Sequence, residues 1–146
     1  MSLTVRELKP DETQLAFEAM RALRPGLRDE AEFVSRVNDV QRLEGYRLVA
    51  SLDAGEERPS AVAGFRTGHG LAWGFYLYVD DLSTLPGARR RGHGSALMRW
   101  LLEEASRLGC DSLHLDSGVS SERIDAHRLY FNHGLAITSY HFAART

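Results

Sequence analysis

Cysteine is nearly absent from this chain, and that excludes a good deal. One residue, Cys110, stands among 146, so neither an internal disulfide framework nor a cysteine metal cluster can form. Long apolar runs are missing as well. None approaches the ~18 residues of a membrane span, and no signal peptide opens the chain. With 18 basic and 20 acidic residues the formal net charge is -2, without the basic excess of a general nucleic-acid binder. No internal repeat and no low-complexity linker interrupts the sequence. A single cytoplasmic domain spanning residues 1–146 is therefore expected, with neither membrane nor nucleic acid as a partner. Six histidines (His69, His93, His114, His127, His133 and His141) show no HExxH spacing and no accompanying carboxylate cluster, so no metal site is expected.

What is present has an ordinary globular composition, 43% hydrophobic and 26% charged, at a size that buries a core without staples. Residues 3–10 alternate like an edge strand. Asp11 and Gln14 are spaced as a capping box for a helix that Arg24-Pro25-Gly26 ends. Asp29 and Glu32 repeat that spacing before a second helix, through about Leu43 and closed by Gly45. Residues 46–53 and 59–67 read as a hairpin, and 71–84 as a long strand rich in aromatic and β-branched residues. Leu97, Leu101, Ala105 and Leu108 form one apolar helical stripe stopped by Gly109. A strand over 110–118, a helix over 120–134 and a final strand over 135–144 complete an α/β chain: an antiparallel meander leading into a βαβ-like unit.

Between the long strand and the striped helix stands "GARRRGHGSALM", residues 87–98. A strand, an arginine-and-glycine loop and a helix make an anion site. Gly92 and Gly94 admit close backbone approach, the free amides and dipole of the helix favour negative charge, and arginines add forked donors. A pyrophosphate is the natural occupant. The loop has no Gly-Lys-Ser/Thr ending for a nucleoside triphosphate, and Leu97 stands where the dinucleotide fingerprint needs its third glycine.

Arg89-Arg90-Arg91-Gly92-His93-Gly94 resembles the R/Q-x-x-G-x-G/A coenzyme A loop of the GNAT N-acetyltransferases. The run "DLSTLPGARRRGHGSALM" is similar to that family's longer signature, with Thr84 in its valine place. "RIDAHRLYFNHGL" (123–135) resembles its second segment, with Ala126, Tyr130 and Gly134 in register, Arg123 replacing the familiar asparagine and Leu135 the phenylalanine. The resemblance implies the GNAT acyl-CoA N-acyltransferase fold, a mixed central β-sheet flanked by helices, with acetyl-CoA as co-substrate and no metal. It implies that the backbone at Leu82, Ser83 and Thr84 splays from the strand at 111–116 to hold the pantetheine arm. Arg89, Arg90, Arg91, Gly92, His93, Gly94 and Ser95 would bind the pyrophosphate, His93 through its backbone N–H rather than its ring. Arg123 joins the cofactor-binding set. Tyr130 matches the tyrosine that protonates the departing thiolate.

Adjacent Asp80 and Asp81 face opposite ways on a strand. Asp80 is the first candidate for the base and Asp81 the second, with a water chain as the alternative. Phe17, Phe33 and Tyr46 are candidate acceptor-site walls. The activity implied is transfer of an acetyl group to a primary amine of a small molecule or peptide. The alternative is a non-catalytic acyl-CoA-binding module. The short C-terminal part leaves room for a homodimer completed by a partner strand.

Overall fold

The computed structural model describes residues 2–146. Five strands lie in sequence order across one sheet: β1 (Leu3–Leu8), β2 (Arg47–Asp53), β3 (Ala61–Gly70), β4 (Gly74–Thr84) and β5 (Ser112–Leu115). The first four pair antiparallel, and β5 joins β4 in parallel. Four helices cover the sheet: α1 (Phe17–Leu23), α2 (Glu30–Arg36), α3 (His93–Leu108) and α4 (Ile124–Asn132).

The sheet is covered on both faces, which is why β2 is buried from Leu48 to Leu52. Its side chains alternate between two cores. Leu48, Ala50 and Leu52 join Phe17, Met20, Phe33 and Val37 under α1 and α2. Val49 joins Phe65, Leu77, Leu97, Met98 and Leu101 under α3. The expected stripe of α3 is this contact, and Gly109 (φ 80°) ends the helix in the left-handed conformation. Near the start of β4, the Trp73 ring stacks on His114 with centroids 3.6 Å apart.

Several expected boundaries shift. The first helix begins as a 3-10 turn over Pro10–Ala16 before α1. Its capping box uses Lys9 and Glu12 rather than Asp11 and Gln14: the Lys9 N–H donates to Glu12 Oε1 at 3.0 Å. Asp29 caps α2 as expected, accepting the Glu32 N–H at 2.8 Å. The second helix leaves α geometry at Val37, passes through a π turn and a 3-10 turn, and stops at Gly45. Over this stretch the Arg42 guanidinium reaches back to Leu8 O and Thr13 Oγ1. β3 runs on to Gly70, so the turn expected at 68–70 falls at 71–73.

The strand expected over 135–144 does not form. Residues beyond Leu135 have no regular structure, and Ile137, Tyr140 and Phe142 are 75%, 85% and 92% exposed. Leu135 itself is anchored, its N–H donating to Tyr130 O at 3.0 Å. An alternating segment becomes a strand only against a ladder partner, and β5 pairs with β4 alone.

On the α3 side, Glu104 is buried among cations. It accepts from Arg107 Nε and Arg47 Nη2, each at 2.6 Å. The Arg107 guanidinium, with Arg47 beside it, holds the Glu104 carboxyl down to about 2 against the opposing push of burial. A carboxyl whose folded-state pKa is depressed adds stability above its ordinary value of 4.5 and loses it as pH falls toward the folded value. The contribution is on the order of 3 kcal/mol. Glu104→Gln is expected to lower stability at pH 7 and to flatten its decline between about pH 5 and pH 2, measured by urea unfolding across that range.

Candidate active site

The β4–β5 pairing runs from Tyr76–Ser112 to Val79–Leu115 and stops there. Next to that point β4 carries a bulge. Gly64 pairs with Asp81 and Phe65 with Val79, so Asp80 is the extra residue. A bulge bends its strand and re-aims side chains. Leu82, Ser83 and Thr84 then pair only with β3, and Leu82 lines a cleft of about 320 Å³. Leu115 to Gly118 form the opposite wall, with Arg24, Arg123 and Tyr130 at the sides.

Both members of the acidic pair are engaged. Asp80 lines the cleft and takes Arg66 Nε at 3.0 Å. Burial raises its carboxyl pKa, with Arg66 opposing. Asp81 accepts the Tyr46 hydroxyl at 2.7 Å and Arg24 at 3.0 Å. Arg24 also donates to Asp80 O. On the far wall Tyr78 donates its hydroxyl to Asp116. Tyr130 is 8% exposed. Burial raises its phenol pKa, and neighbouring Arg123 pulls part of the way back.

The arginine-and-glycine loop runs from the 3-10 turn Pro86–Ala88 into α3. Arg90 (φ 64°) is the one non-glycine residue with positive φ among the described residues, and Gly92 (φ 90°) takes the N-cap position. Strained φ of this kind clusters at binding sites. The amides of the first turn have no partner within the helix. Gly94 lies against α4, where an added Cβ would stand 3.1 Å from Leu129 Cδ2. Arg89 and Arg90 are exposed. Arg91 is drawn to Asp53 at 3.0 Å.

The His93 ring is fully engaged within the protein. Its side chain is 0% exposed. Nδ1 meets Ser51 Oγ at 2.7 Å and Nε2 meets Asp53 Oδ1 at 3.1 Å.

A model of the acetyltransferase (GNAT) family matches residues 11–135. The chain belongs to the GNAT family. It is 30% identical over 128 residues, 87% of each chain, to the uncharacterized N-acetyltransferase YhdJ of Bacillus subtilis (strain 168). The GNAT fold is matched in solved structures. A transcriptional regulator from Bacillus halodurans C-125 superposes with a TM-score of 0.83 at 18% identity, covering 99% of this chain and 100% of that one. The aminoglycoside N-acetyltransferase AAC(6')-Iy in complex with CoA gives a TM-score of 0.82 at 14% identity, covering 99% and 95%.

Of the residues expected at the site, Asp80, Leu82, Arg123 and Tyr130 line this cleft. Phe17 and Phe33 are not walls but pack in the core under α1 and α2, their rings tilted by 47° with centroids 5.8 Å apart. Arg24, Arg66, Asp53 and Asp116 were not singled out by the sequence. Arg24 stood there only as part of a helix stop, and the others carry no local pattern. Among the described residues no helix is long and apolar enough to cross a membrane.

Tyr46 reaches Asp81 by passing over Gly64, where any Cβ would overlap its hydroxyl. Gly64→Ala is expected to displace that ring and cost about 1–3 kcal/mol. Urea unfolding checks this, and in a Tyr46→Ala background the same change should cost far less.

Proposed function

We propose that this GNAT protein is an acetyl-CoA-dependent N-acetyltransferase acting on a primary amine of a small molecule or peptide. The observation that carries the reading is the parting of β4 from β5 at a cleft lined by Leu82, Arg123 and the buried Tyr130, with the arginine-and-glycine loop leading from β4 into α3. The Bacillus subtilis relative named an N-acetyltransferase and the CoA complex of the aminoglycoside enzyme support it.

Acetyl-CoA, when bound, would supply the thioester: the acetyl carbon would bond to the amine nitrogen as its bond to sulfur breaks, and the sulfur would leave as coenzyme A. The chain's own part is to hold and to move protons. Amides from Arg89 to Ser95, with the Arg89 and Arg90 side chains, cradle the pyrophosphate. Backbone N–H groups at Leu82 to Thr84 orient the pantetheine arm and polarise the carbonyl. Arg123 closes the cleft beside Tyr130. Tyr130 gives its proton to the departing sulfur. Asp80, raised in pKa by burial, receives the amine's proton directly or through water. Asp81 holds Tyr46 and Arg24 against the acceptor side.

A second copy is the partner that fits the exposed tail. The outer edge of β5 is unpaired, and the segment after Leu135 exposes Ile137, Tyr140 and Phe142. The single thiol, Cys110, fits a reducing cytoplasm.

Isothermal titration of acetyl-CoA is expected to saturate with the wild type and to fail with an Arg89→Ala, Gly92→Glu double variant. Tyr130→Phe should keep acetyl-CoA affinity and lower kcat by about 10²–10⁴, followed by free-thiol release across a panel of amines. Because burial raises the Tyr130 phenol, wild-type turnover should persist above the ordinary tyrosine value of 10.0. A wild type that binds acetyl-CoA yet releases no thiol with any amine would instead support the binding-module alternative.

A further inference from the structure

Beneath the arginine-and-glycine loop lies a buried group of polar side chains that the chemistry above does not use. Ser51 and His93 are 0% and 1% exposed, and Ser60 is 8% exposed. Asp53, at the end of β2, is the hub. Its Oδ1 faces His93 Nε2 at 3.1 Å. Its Oδ2 takes Arg91 Nη2 at 3.0 Å and Ser60 Oγ at 3.1 Å. His93 Nδ1 meets Ser51 Oγ at 2.7 Å. A carboxylate can only accept, so Nε2 carries the hydrogen, and Nδ1 is held by the Ser51 hydroxyl. Burial pushes the Asp53 carboxyl up, but Ser60, Arg91 and His93 together hold it below the ordinary value, keeping it ionised.

The spacing matters. Arg91 and His93 flank Gly92, whose φ of 90° turns the chain into α3. Two side chains from either side of this turn are tied to a single carboxylate on the sheet. A loop with positive φ at Arg90 and at Gly92 has no intrinsic preference for that shape, and an untethered loop must be ordered by its ligand at a cost in affinity.

We propose that Asp53, His93 and Ser51 are positioning residues that fix the anion-binding loop before its ligand arrives, with Arg91 spent on the tether and Arg89 and Arg90 left to face the anion. This rests on the coenzyme A reading of the loop. It also inverts the simplest electrostatic expectation. Removing a carboxylate beside an arginine raises the local positive charge, which alone would tighten the grip on a pyrophosphate. If the carboxylate acts by shaping the loop, removing it weakens binding.

The test is titration of acetyl-CoA into the wild type, Asp53→Asn, His93→Phe, His93→Gln and Ser51→Ala, with thermal unfolding of each. Asp53→Asn and His93→Phe should weaken binding by about tenfold or more. His93→Gln, which keeps one donor and one acceptor, should recover most of that loss. Ser51→Ala should fall between. In thiol-release assays the KM for acetyl-CoA should rise for Asp53→Asn while kcat at saturation changes by less than about threefold. A folded Asp53→Asn that binds as tightly as the wild type, or more tightly, overturns the inference and leaves the coenzyme A reading intact. Should Asp53→Asn not fold, equal affinities for His93→Phe and His93→Gln overturn it instead. A wild type that binds no acetyl-CoA removes both.

Discussion

Backbone groups that leave a sheet must find another partner or remain open to whatever enters. In this protein β4 leaves β5 after the Val79–Leu115 pair, and much of the site follows from that parting. The edge of β4 beyond it is exposed in a cleft rather than in bulk solvent. The Asp80 bulge sits at the point of departure. The following loop delivers the chain to α3, capped at its N-terminus by Gly92. A parallel pair extending to Thr84 would have consumed the donors that the cleft now presents.

The parting is tolerated because the sheet is clamped on both faces. Under α3 and α4, Phe65, Leu77, Val79 and Leu101 form one core with Tyr130 at its margin. Under α1 and α2 a second core brings Tyr46 and Arg24 onto Asp81. The charged side chains at the cleft are therefore held by partners rather than waving in solvent: Asp80 by Arg66, Asp81 by Arg24 and Tyr46, Asp116 by Tyr78.

Some of this was legible in the residues and some was not. The loop between β4 and α3 was, because its glycines and arginines, Gly92, Gly94, Arg89 and Arg90, are a local pattern. The α3 stripe was, because helical period and core contact coincide. The bulge at Asp80 was not, since register depends on the strand across the ladder, which no local pattern reports. The tail after Leu135 shows the same limit from the other side: its alternation suits a strand, yet a strand exists only with a neighbour. Capping was half legible. Asp29 kept its local partner, while Lys9 displaced Asp11 because Pro10 moved the start of the turn by two residues. The tether at His93 was hidden for another reason. His93 lies 42 residues from Ser51 and 40 from Asp53 and meets them only through the fold, so no local pattern reports the contact.

The stack of Trp73 on His114 has a use outside chemistry. The two tryptophans occupy different parts of the molecule. Trp73 is 41% exposed and lies on His114, a β5 residue. Trp100 rides on α3 against Phe65 in the core, ring centroids 5.6 Å apart. Burial lowers the His114 pKa, so a neutral imidazole covers Trp73 near pH 7. The chain thus carries two intrinsic fluorophores of different polarity, one reporting on the β4–β5 edge and one on the helix that carries the loop. Emission and quenching can follow the two regions separately, without a label.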